Sequence, residues 1–193
     1  MDQIGTVSHG EVHKIPADLI GDAARHAAIL IHDSHAQKFT PLFGGGFEPH
    51  CVGKIGEYLF WNEVKNSGIH ITSTPIRESY TKLSANDDFM LVVDDKDVQV
   101  EVKTANVFKP LDELPMGFKF MLNAAQRPFK FDWVVSIFVN LSDLTYRIMG
   151  CVERDSIAEY PIAGSYGVRH YEIPPESLLS IRCIWEGCAW NSN

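Results

Sequence analysis

The chain has 193 residues, 45% apolar and 22% charged, which suffices for one domain with a substantial core and excludes a disordered polar tract. Its net charge of −8 excludes a protein that coats nucleic acid through overall basicity, while leaving room for a local basic cleft. No apolar run approaches the ~20 residues that span a bilayer, and the opening stretch MDQIGTVSHGEVHK lacks the features of a secretory signal, so the expectation is a cytoplasmic protein with no membrane partner. Cys51, Cys151, Cys183 and Cys188 form no CxxC pair and read as free thiols of a reducing compartment.

In chain order, residues 17–36 (ADLIGDAARHAAILIHDSHA) are rich in Ala, Leu and Ile and predict a helix packed on the body. His26, His32 and His35 fall near it without an acid at metalloprotease spacing, and read as solvated side chains at a helix end. The segment FTPLFGGGFEPH predicts a loop; Gly44 to Gly46 lack the Lys-Ser/Thr ending of a phosphate loop. A second helix is expected over 53–68, ending near Gly68, with Ile55, Leu59, Phe60 and Val64 as its apolar stripe and Glu57 among them.

Two strands follow, DFMLVV (88–93) and VQVEVK (98–103), joined by DDKD as a four-residue polar turn in which Asp94, Asp95 and Asp97 read as solvated. Pairing Val93 with Val98 puts Met90 opposite Glu101 and Asp88 opposite Lys103. Phe89, Leu91, Val93, Val98, Val100 and Val102 then share one face, and Asp88, Glu101 and Lys103 share the other; a one-residue slip would mix the two. A helical segment is expected around 116–127, then an apolar central strand over 132–141, with 145–152 as its hairpin partner. The stretch 171–185 predicts short strands and turns, and AGSYG (163–167) lacks nucleophile-elbow spacing and reads as a loop. Lys109, Lys119, Arg127 and Lys130 read as surface charge. Strands mixed with helices on both sides indicate a single α/β or mixed α+β domain spanning 1–193.

The chemistry lies in the polar face of the strand pair. A carboxylate and an ammonium two positions apart are costly to bury, so an ordinary strand exposes them. Two acids converging at a sheet edge instead suit a hard cation such as Mg²⁺, which takes carboxylate oxygens and water, and a lysine beside them can orient an attacking water and offset charge on a phosphate. The residues NDDFMLV…VQVEVKT, with Glu57 on the preceding helix, resemble the PD-(D/E)XK, or restriction endonuclease-like, nucleases.

That resemblance implies a core, over 53–141, of a central mixed β-sheet flanked by helices, with 1–52 as an N-terminal helical extension and Gly-rich loop and 142–193 as C-terminal strands and turns. It implies Mg²⁺, with Mn²⁺ as a substitute, held by Asp88, Glu101 and the backbone carbonyl of Val102. Lys103 assists the attacking water and Glu57 completes the site. The family's proline is absent, and Asn86 and Asp87 stand before Asp88, so Asp87 is the alternative ligand. Gln126 matches a polar position that some members use. The implied activity is hydrolysis of phosphodiester bonds in DNA, of restriction, repair or recombination type, in a homodimer where both strands are cut. Two alternatives are a catalytically silent binding or assembly module on the same fold, which the acidic balance favours, and an RNA-directed phosphodiesterase.

Overall fold

The computed structural model describes residues 10–37, 47–76, 89–114, 119–165 and 168–186. A short strand β1 (His13–Lys14) leads into helix α1 (Ala17–Gln37), and helix α2 (Phe47–Asn66) follows. α2 begins earlier than the expected residue 53 and carries Pro49 in its first turn, where a missing N–H costs nothing. It ends as its sequence predicts. Gly68, at φ 72°, donates to the Lys65 carbonyl and Ile69 donates to the Val64 carbonyl, the paired bonds that satisfy the last free carbonyls of a helix. Ile55, Leu59, Phe60 and Val64 are all buried, so the predicted stripe is the packing face.

β2 (His70–Ser73), β3 (Phe89–Val93) and β4 (Lys96–Asn106) form an antiparallel meander. β6 (Trp133–Asn140) then runs parallel to β4, and β7 (Thr145–Glu153) returns antiparallel to β6. With β1 on its edge, this six-stranded sheet has the order β1-β7-β6-β4-β3-β2. A second sheet, β5-β9-β8, is built from β5 (Phe120–Asn123), β8 (Ile162–Ser165) and β9 (Val168–Ile173), and a short helix α3 (Cys183–Glu186) closes the described chain.

The result is a mixed α+β architecture in three layers. α1, α2 and α3 pack on one face of the large sheet, through Leu19, Ala23, Ile55, Phe60 and Ile184 against Phe89, Leu91, Val100, Val135 and Ile137. The small sheet covers the other face, with Phe120, Leu122, Tyr171 and Ile173 against Val134, Phe138 and Val152. β6 is therefore buried on both sides, which is why its sequence is apolar without alternation.

Six expectations need correction. Phe89 pairs with Val100, Met90 with Gln99 and Leu91 with Val98, so Met90 does not face Glu101. The loop is the two residues Asp94 and Asp95, at φ 49° and 59°, rather than four. A two-residue turn with both φ positive matches the strand twist, and Asp tolerates that region. Because the pairing moved by an even step, every side chain keeps its predicted face. Asp95→Gly is expected to raise stability by up to about 1 kcal/mol through relief of the positive φ, read as the urea midpoint; a fall would contradict this account of the turn.

The helix expected over 116–127 is instead β5 followed by a 3₁₀ turn at Ala124–Gln126. Phe120 and Leu122 are buried while Met121 is exposed, the period of a strand, and pairing with β9 satisfies the backbone. His26 is not solvated: it is buried, and its Nδ1 bonds the Tyr58 hydroxyl at 2.7 Å, tying α1 to α2. Cys183 is disulfide-bonded, whereas Cys51 and Cys151 carry free thiols. Sequence spacing cannot reveal such a pair, because the bond depends on Cα separation in the fold. AGSYG begins as strand β8 rather than as a loop, and Gly44 to Gly46 lie outside the described residues. Among the described residues no helix is long and apolar enough to cross a membrane.

Candidate active site

Strand β4 sorts its side chains by alternation. Val98, Val100 and Val102 join the core beneath α1 and α2, and Thr104 meets α2 on the same side. Glu101 and Lys103 therefore point to the opposite face, beside Val134 and Ser136, their neighbours in the parallel pairing with β6. Each is only 19% exposed, and the Lys103 ammonium donates directly to Glu101 Oε1. A solvated sheet face would leave both in water. Here they are half-buried and paired, next to a fully buried Ser136 whose hydroxyl has no hydrogen-bond partner among the described residues.

Glu57 stands on α2, the helix packed on the valine and Thr104 face of β4. Its placement depends on Gly56, whose Cβ position lies 1.8 Å from Thr104 Oγ1 and 2.9 Å from Thr104 Cβ, so the helix backbone sits directly on the strand. Burial pushes the Glu57 carboxyl above the usual range, and the Lys54 charge and hydrogen bond oppose that push. Glu101 adds to the upward push and Lys103 draws the carboxyl down, so Glu57 lies within electrostatic reach of the β4 pair. Glu57 thus bonds Lys54 and Glu101 bonds Lys103, two separate ion pairs of which the second acts on the Glu57 carboxyl only through its charges.

Lys54 escaped the sequence reading. Its ammonium donates to Glu57 Oε2 at 2.7 Å and to the Pro75 carbonyl at 3.0 Å, and the residue is 5% exposed. The available signal was its i,i+3 spacing to Glu57, with His50 one turn earlier on the same stripe. Burial, and after it the Lys54 charge, lower the His50 imidazole, whose Nε2 is buried with no hydrogen bond among the described residues.

Asp87 and Asp88 lie outside the described residues, directly before Phe89, where the described β3–β4 pairing stops at Phe89 and Val100. Among the described residues no three His, Cys, Asp or Glu side chains gather as a metal-binding group, leaving Glu57 and Glu101 as the acids present. Carboxylate oxygens and a strand carbonyl at Val102 are the hard donors that Mg²⁺ takes, so the donor chemistry fits. Gln126 sits in the 3₁₀ turn after β5; its Oε1 is buried without a hydrogen bond among the described residues, and no bond joins it to Glu101 or Lys103.

An open cleft of about 610 Å³ is lined by Arg127, Pro128, Phe129, Arg154, Asp155 and Ala158. Arg127 lies 5.2 Å from the Tyr171 ring centre and 5.9 Å from that of Phe129. Arg154 pairs with Asp132 and Asp155. Asp132 in turn accepts from the Gln99 N–H and donates its own N–H to the Gln99 carbonyl, which fixes the cleft two residues along β4 from Glu101. Lys109 and Lys130 are exposed, and Lys119 pairs with Glu172, as surface charges do. Comparison with family models, curated proteins and solved structures gives no match to this chain.

Proposed function

We propose that the protein is a Mg²⁺-dependent nuclease that hydrolyses phosphodiester bonds in DNA, with the active site at Glu57, Glu101 and Lys103. The observation that carries this reading is the half-buried Glu101–Lys103 pair on β4, whose charges also act on the Glu57 carboxyl of α2. Burying that many charges in one place costs several kcal/mol per ion unless they are paired, which favours a working site over ornament. The order of elements also supports a restriction endonuclease-like core: helix α2, the β2-β3-β4 meander, then a crossover to the parallel strand β6.

In this reading Asp88, or its neighbour Asp87, would join Glu101 and the Val102 carbonyl in holding the cation, with Mn²⁺ as a substitute. When bound, the cation supplies Lewis-acid stabilisation of the phosphate and helps activate water. Lys103 donates a hydrogen bond that orients the water for in-line attack, and its positive charge offsets that building on the phosphate oxygens. Glu57 completes the negative rim. Arg127, lining the cleft, offers a cation for a backbone phosphate in a chain whose net charge is −8.

The test is incubation of the purified protein with supercoiled, linear and branched DNA and with RNA, in Mg²⁺ or Mn²⁺ against EDTA. Metal-dependent DNA cutting is the expected result; cutting of RNA alone would redirect the reading to an RNA phosphodiesterase. DNA binding without cutting would favour a silent binding module, the reading that the net charge supports. Arg127→Ala is expected to raise KM for DNA about three- to tenfold with little change in kcat, since one charge-assisted phosphate contact contributes roughly 1 kcal/mol. An unchanged KM would remove the cleft from the DNA path.

A further inference from the structure

We propose that Lys54 is a positioning residue that holds the Glu57 carboxylate in place for the reaction, bridging α2 to the segment after β2 through bonds to Glu57 Oε2 and the Pro75 carbonyl. The inference rests on the nuclease reading above and names a residue that the family resemblance does not assign.

A lysine on a helix normally lays its methylene stem on apolar surface and keeps its ammonium in water. Lys54 does the reverse, with 6% of its side chain exposed and its ammonium turned inward. Helix stability is a poor reason for that choice. A lysine placed before a glutamate along the helix is the less favourable order, and such pairs contribute only about 0.2–0.5 kcal/mol. Desolvating an ammonium costs several kcal/mol, so the geometry must serve something the helix alone does not need.

The two acceptors say what it serves. Pro75 follows β2, whose pairing with β3 reaches Ser73 and Met90, so its carbonyl lies just past the end of the β2–β3 ladder. Nζ is thus held from two elements, and a carboxylate bonded to it at 2.7 Å inherits that fixed position. Glu57 also faces the like charge of Glu101. Like charges repel, and a cation fixed on Glu57 Oε2 offsets the influence of Glu101 on that carboxyl. Lys103 performs the same service for Glu101. Among the described residues, His50, Glu101 and Lys103 are other titratable groups that interact electrostatically with this pair.

The test uses the full chain with Lys54→Met, Lys54→Arg, Glu57→Gln and the double variant Lys54→Met/Glu57→Gln, assayed for kcat, KM for DNA, the Mg²⁺ concentration at half-maximal rate, and thermal unfolding. Lys54→Met is expected to lower kcat about tenfold or more and to raise the half-maximal Mg²⁺ severalfold, with KM for DNA within about twofold. The double variant should be no slower than Glu57→Gln alone, because Lys54 acts through Glu57. Lys54→Arg, which keeps the charge but not the geometry, should fall between wild type and Lys54→Met. If Lys54→Met does not fold, Lys54→Arg decides: a reduced kcat with unshifted KM supports the role, and wild-type kcat and Mg²⁺ dependence overturn it. Wild-type kinetics in a folded Lys54→Met, or losses that multiply in the double variant, overturn it as well. An inactive wild-type protein would defeat the nuclease reading itself, which separates the two failures.

Discussion

Glu101→Gln and Lys103→Ala are each expected to reduce Mg²⁺-dependent DNA cutting by about 10²–10⁴-fold while leaving the fold intact. Both side chains stand on the polar face of β4, 19% exposed and bonded to each other. Their neighbours along the strand are valines packed under α2, so the backbone position is held independently of the pair. Losing the ion pair leaves one partner underserved, at a cost of roughly 1–3 kcal/mol, which a domain of this size tolerates. The two readouts therefore separate: cutting should collapse while the urea midpoint moves modestly. Retained cutting in both variants would assign the activity to another site or to a contaminant. Loss of cutting in step with unfolding would make the pair structural.

Gly56→Ala should be the most damaging single methyl on α2. In an exposed helix the same change stabilises by about 1 kcal/mol through propensity alone. Here the added Cβ would meet Thr104 Oγ1 at 1.8 Å, with Thr104 Cβ and Cγ2 at 2.9 and 3.0 Å. Thr104 cannot escape by rotation, because its own Cβ is part of the clash. The helix must move off β4, and overpacking of this kind costs about 1–3 kcal/mol. The sign of the stability change is thus diagnostic: a loss supports the close approach, a gain refutes it. Displacing α2 also moves Lys54 and Glu57 away from Glu101 and Lys103, so cutting should fall about tenfold or more. Thr104→Ala in the same chain removes Oγ1 and Cγ2 but not Cβ, and should recover part of both losses.

Elements whose pattern is local are legible in the amino-acid sequence. β4 alternates because one of its faces packs under α2, and period two is visible in Val98, Val100 and Val102. α2 announces its stripe and its glycine stop, and β6 shows the mainly apolar run of a strand buried on both sides. Glu101 and Lys103 are legible as the charged face of that alternation, and Glu57 as the preceding-helix acid that the family resemblance implies. The tertiary structure decided what depends on distant partners. The β3–β4 register followed from a two-residue turn whose positive φ values no alternation reveals. β5 became a strand because β9, some fifty residues later, offers it a ladder. Lys54 and His26 read as ordinary polar helix residues until Pro75 and Tyr58 arrive to bond them. A residue's pattern reports which side of its own element it occupies; whether that side meets water, a core or another charge is settled only when the other elements pack against it.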